Sequence, residues 1–227
     1  MEATGHSPSG RARSTPGEER VPQLRGVLHL VAAGLAPVGL LVLLLIADSP
    51  ARYVGAAVFA SSLILLYATS ATYHVGHWPQ RARDMVMRAD HATIFVFIAG
   101  TYTPFCLVTL GGAWGISMLS VVWTFAGLGA LLKIIWPRAP RWLGVSLYLG
   151  LGWIGAIAAA PIISSLPVTA LALLVTGGML YTVGAIVYAT RWPDPFPRMF
   201  GFHEVFHALV VAGTVLHFTL IALYVVS

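Results

Sequence analysis

Eight histidines stand out in a chain that carries very little other charge. His203 and His207 are four residues apart. On a helix that spacing is a rotation of about 40° and a rise of about 6 Å, so both imidazoles share one face. Three neutral imidazoles can hold a divalent cation and leave a fourth position for water. His74 is the candidate third ligand, and Ser70 precedes it by four residues on the same face. Asp90 can hydrogen-bond either a ligating imidazole or the water beside the metal, as carboxylates around metal sites do. The two histidines could instead hydrogen-bond across helices, so their spacing alone leaves both readings open.

The string His203-Glu204-Val205-Phe206-His207 also fits the zinc-protease signature, in which the glutamate is the general base. Here the motif opens an apolar helix, and Glu204 is expected to point to the membrane interface, so the protease reading is set aside. His217 lies about 15 Å further along by helix rise and cannot reach the same ion. It is expected to line a cavity or make a contact between helices. His91 adjoins Asp90 and so lies on a different face. His29, near the inner end of the first apolar run, is a candidate for the same polar layer, and His77 is read as a loop residue.

The elements that must hold these groups are membrane spans. Of 227 residues, 58% are hydrophobic and 9% charged, against about 25% charged in a soluble domain. Mean hydropathy is +0.82. This excludes a soluble globular enzyme, a disordered chain and a nucleic-acid-binding module. The single cysteine, Cys106, excludes an internal disulfide and a cysteine-based metal cluster. A spanning helix needs about 20 apolar residues. Seven segments meet that need: Gly26–Ala47, Tyr53–Tyr73, His91–Leu110, Ala113–Leu132, Trp142–Ile162, Pro167–Ala189 and His203–Val226. The expected fold is all-α, an integral membrane bundle of seven transmembrane helices over residues 21–227. Residues 1–20, rich in Gly, Ser, Pro and Arg, are expected to form a disordered cytoplasmic tail. The first run is longer than a signal-peptide core and is read as a retained span.

The connectors are short. Gly111-Gly112 is tight enough to force the third and fourth segments into a hairpin, and Ser164-Ser165 is expected to join the fifth to the sixth. Pro37 and Pro104 are predicted to kink the first and third helices. With the N-terminus cytoplasmic and the C-terminus outside, every lysine and arginine except Arg52 falls on the cytoplasmic side, as the positive-inside bias requires. That topology brings the end of the second span (His74) and the starts of the third (Asp90) and seventh (His203) to one depth near the cytoplasmic face. Lys133, the only lysine, is placed at the cytoplasmic end of the fourth helix, which excludes a retinal pigment with its Schiff-base lysine inside a span.

Four stretches carry a resemblance: Ser70-Ala71-Thr72-Tyr73-His74, Arg88-Ala89-Asp90-His91-Ala92-Thr93-Ile94, Ala99-Gly100-Thr101-Tyr102-Thr103-Pro104 and Gly201-Phe202-His203-Glu204-Val205-Phe206-His207. Over roughly residues 20–227 the chain resembles the hemolysin III family, the bacterial branch of the progestin and adipoQ receptor superfamily, which includes adiponectin receptors. The resemblance implies a multi-pass protein of the bacterial inner (plasma) membrane, with Zn²⁺ near the cytoplasmic face. His74, His203 and His207 would be its ligands, Asp90 would hold the water, and Ser70 would be the remaining motif position. The superfamily is similar to alkaline ceramidases, which hydrolyse lipid amides. Three functions follow as expectations: a zinc-dependent hydrolase of lipid amides or esters with Asp90 and Ser70 catalytic, a receptor or regulator of membrane homeostasis with structural zinc, and a pore-forming cytolysin. The expected partners are membrane lipids, with no nucleic acid.

Overall fold

The computed structural model describes residues 22–227, so the tail expected over residues 1–20 lies outside the described residues. The expected seven spans are present: the first Val27–Ile46, the second Pro50–Val75, the third Gln80–Leu110, the fourth Gly112–Ile135, the fifth Arg141–Ser165, the sixth Val168–Thr190 and the seventh Phe202–Val226. Each is long and apolar enough to cross a bilayer, where every backbone N–H and C=O must be bonded within the protein. The described residues outside these spans form short connectors with no strand beyond one isolated bridge, Phe196 to Phe200.

Sequence neighbours pack side by side from the first span to the fourth. The sixth lies against the seventh, and the seventh returns to the first, so the bundle closes. The second, third and seventh spans are central, with 56%, 50% and 50% of their apolar stretch buried. The first, fourth, fifth and sixth bury only 22%, 28%, 22% and 22%, and present Leu35, Leu45, Phe125, Ile157 and Val168 outward to lipid. Apolar tails offer helices no hydrophobic reason to associate, so close backbone approach and van der Waals packing must supply it. Gly55 shows this: a Cβ there would lie 2.9 Å from the Cα of Pro104, so only glycine lets the second and third spans meet. The principal core runs through Leu43, Phe59, Leu63, Phe97, Leu220 and Ile221, and a smaller one through Phe95, Cys106, Val122 and Leu151.

Several boundaries differ from expectation for identifiable reasons. The third helix begins at Gln80, three turns before the expected His91, because its charged stretch Arg81–Arg88 forms helix as readily in water as the apolar part does in lipid. The fourth continues through Lys133 to Ile135. Ser164 and Ser165 stay helical, their hydroxyls donating to the carbonyl of Pro161, and the turn falls at Leu166-Pro167. Helical bonding continues through Pro37, whereas after Pro104 it passes into the wider turns of a π-helix over Phe105–Leu110. The hairpin between the third and fourth spans turns at Gly111 and Gly112, whose φ of 59° and 50° suit glycine.

The fifth span is broken. α-Helix runs from Arg141 to Trp153, tightens to a 3₁₀ turn over Ile154–Ala158, and resumes from Ala159. Pro161 has no N–H to bond the carbonyl of Ile157, and the break is met by Tyr102 of the third span. Its hydroxyl donates to the carbonyl of Gly152 (2.5 Å), lies 3.2 Å from that of Leu151, and accepts from the amide of Gly155 (2.8 Å). A side chain thus satisfies the backbone groups that the break would leave bare.

Candidate metal centre

His74 ends the second span, and His203 and His207 occupy the first two turns of the seventh. The structure brings all three together. Each offers a ligating atom, and these atoms lie within 4.8 Å of one another. The Nε2 atoms of His74 and His203 are 3.2 Å apart. Two nitrogens on one tetrahedral zinc, at about 2.05 Å from it, stand about 3.3 Å apart, so this pair already has the spacing a shared cation needs. His207 is buried with Nδ1 unpartnered, and its ring lies edge-on to those of His74 (5.1 Å) and His203 (4.5 Å). A neutral, imidazole-rich, buried donor set of this kind fits a borderline-soft divalent ion.

Asp90 and Ser70 stand beside the three histidines rather than among them. Both are buried and line the same cavity as His203 and His207. The unexpectedly prominent member is His29. Its Nδ1 is 2.7 Å from Ser70 Oγ, and its ring stacks on His207 with centroids 3.8 Å apart and planes inclined by 10°. When Nδ1 of His29 carries the shared proton, Ser70 Oγ accepts it and keeps its own O–H to donate, and Nε2 of His29 is left a buried lone pair with no partner among the described residues. Ser70, His29 and His207 thus form one continuous polar file across the second, first and seventh spans. A lone histidine in an apolar run has no spacing signal, so the first span's place in this file was visible in sequence only as a matched depth.

Glu204 departs from expectation. It does not point to the interface but is almost fully buried, with side-chain exposure of 1%. One carboxylate oxygen accepts from Arg25 Nε (2.5 Å) and the other from the backbone amide of Gly201 (2.8 Å). Asp194 accepts from the amide of Phe202 (2.9 Å), so two acids cap the N-terminus of the seventh span. Glu204 is therefore spent on holding the helix that carries His203 and His207, and the zinc-protease role has no free base. The same pair ties down the segment before the first span, which also donates from the amides of Gln23 and Leu24 to the carbonyls of Arg198 and Met199. Gly26, at φ 82°, passes directly over His74: a Cβ on Gly26 would lie 2.6 Å from that of His74.

A cavity of about 620 Å³ adjoins the histidines. His91 and His217 both line it. His217 Nε2 bonds the carbonyl of Leu174 at 3.1 Å, so the cavity and the interhelical contact expected of it are both present. His77 lies in the connector after the second span. Lys133 lies in the last turn of the fourth span, the end expected of it, and is part of the cavity wall.

Residues 19–218 match the family model described as "Haemolysin-III related". The chain is 36% identical over 171 residues to the "Hemolysin-3 homolog" of Bacillus subtilis, covering 75% of this chain and 76% of that one. It is 32% identical over 203 residues to "Hemolysin-3" of Bacillus cereus, covering 88% and 89%. A plant relative, "Heptahelical transmembrane protein 5" of Arabidopsis thaliana, is 30% identical over 216 residues, which are 85% of this chain and 54% of that longer one. No solved structure matches the chain significantly.

Proposed function

The chain belongs to the haemolysin III family of multi-pass membrane proteins, and from that premise we propose that it is a zinc-dependent intramembrane hydrolase of lipid amides or esters. The observation that carries the reading is the convergence of His74, His203 and His207, the last two on the wall of a cavity large enough for a lipid chain that a buried carboxyl and hydroxyl also line. Zinc held by three imidazoles would polarise a carbonyl and make water more acidic. Asp90 takes the proton from the attacking water and returns it to the departing amine or alcohol as the C–N or C–O bond breaks. Ser70 donates to the oxygen on which negative charge develops, and His29 fixes the orientation of Ser70 through the 2.7 Å contact. The apolar walls hold the acyl chain and keep bulk water out.

The test joins elemental analysis to turnover on purified protein. The wild type is expected to carry about one zinc per chain, as a three-histidine site requires, and to release product from ceramide-like amides or from lipid esters. His207→Ala is expected to lose both metal and turnover. Full zinc occupancy with no turnover on any lipid class would defeat the hydrolase. A regulator with structural zinc would then stand, because the 3.2 Å contact between His74 and His203 joins the second span to the seventh. Loss of thermal stability in His74→Ala would be its mark.

A further inference from the structure

We propose that the cavity takes a single-chain amphiphile with an anionic head, its phosphate or carboxylate seated between Lys133 and Arg141. This names the substrate class for the chamber read above as that of a hydrolase, and so rests on that reading. The cavity is polar at one end and apolar at the other. Asp90, Lys133, Arg141, His203 and His207 line the end where the fourth span finishes and the fifth begins, and Leu110 and Ile163 line the end where the third and fifth finish. A lining that changes from charged to apolar along one span's length matches a molecule with a head and a tail.

The charges do not balance. Among the described residues, Asp90 is the only carboxylate in the lining, against Lys133 and Arg141. The ion pairs among the described residues are Arg25 with Glu204 and Arg52 with Asp48, so neither of these two cations has an acidic partner there. Lys133 makes no hydrogen bond among the described residues. Its Nζ lies 5.9 Å from the centre of the Tyr148 ring, and the residue is 6% exposed. A lysine that merely anchored a helix end would extend its ammonium outward to water. Lys133 turns inward, and Gly144 makes room for it, since a Cβ at Gly144 would lie 2.5 Å from Nζ. Arg141 rests on Tyr188 (4.8 Å from the ring centre) and donates one N–H to the Tyr188 carbonyl, leaving other donors of its fork to use. Tyr188 in turn packs on His203 at 5.7 Å, which puts the cationic end next to the histidines. An ammonium facing a mostly apolar cavity with no acidic partner favours an anion beside it, and an anionic headgroup would supply one.

The experiment uses the full chain in phosphatidylcholine nanodiscs, titrated with hexadecyl phosphate, hexadecylphosphocholine and inorganic phosphate. Wild type is expected to bind hexadecyl phosphate about tenfold or more tighter than the zwitterion of the same chain, the scale of one charge-assisted hydrogen bond. Lys133→Met and Arg141→Met each lower that preference, and Lys133→Arg retains it. Gly144→Ala, which moves only the tip of a flexible side chain, lowers it several-fold with an unchanged thermal midpoint. Equal binding of the two lipids by wild type overturns the proposal. So does an undiminished preference in Lys133→Met and Gly144→Ala, or inorganic phosphate binding as tightly as hexadecyl phosphate, which would mark a site for a free anion. Charge preference without turnover refutes the hydrolase and leaves this inference standing. Turnover without charge preference does the reverse.

Discussion

The second, third and seventh spans differ from the fifth in almost every respect that bears on precision. The former are continuous where they carry site residues, half buried, and held by close backbone approach and by the paired caps at Gly201 and Phe202. They supply Ser70, His74, Asp90, His203 and His207. The fifth is mostly lipid-facing, interrupted by a 3₁₀ turn, and supplies cavity wall. Groups that must meet within tenths of an ångström sit on the rigid trio, and the wall against which a variable chain must fit sits on the span with slack. The lesson is a division of labour: packing density follows the chemistry rather than being spread evenly over the bundle.

That contrast can be broken by substitution. The largest effect is expected at Glu204. Glu204→Ala leaves Arg25 without its partner and uncaps the seventh span, at about 3 kcal/mol, read as a drop in the thermal midpoint of purified protein with metal content falling in parallel. Next comes Gly55→Ala, which forces the second and third spans apart at Pro104 and should cost about 2 kcal/mol by overpacking. Its control is Gly127→Ala on the outer face of the fourth span, where a Cβ meets nothing within 4 Å. That change should stay within about 0.5 kcal/mol of neutral. Equal midpoints for the two glycine variants would erase the distinction between centre and rim. Between Gly55→Ala and its control falls Tyr102→Phe, at about 1 kcal/mol for backbone groups left unpaired. Its signature should be local, with faster amide exchange over Ile154–Ala158 and little change in the seventh span.

Much of this was legible in the sequence. A bilayer accepts few solutions, so apolar runs of adequate length, together with Gly111-Gly112 and the placing of the arginines, were enough to count seven spans. The four-residue spacing of His203 and His207 likewise put both on one face, and His74 at matched depth completed the group. The missing parts share a cause: each depends on which neighbour a side chain meets, not on periodicity. Lys133 reads only as a residue at a helix end until Gly144 is seen to make room for it. Glu204 reads as interfacial until Arg25 arrives from the far end of the chain, and Tyr102 sits in a conspicuous motif with nothing nearby to say that the fifth span will break around it. His29 shows the same limit, for its stacking on His207 required knowing that the first and seventh spans touch.

The passage of Gly26 over the Cβ of His74 ties the site to a distant ion pair. Main chain fastened through Arg25 to Glu204 lies against the stem of that imidazole. Loosening the pair would give the His74 ring room to swing, so residues that never touch an ion would govern how firmly it is gripped.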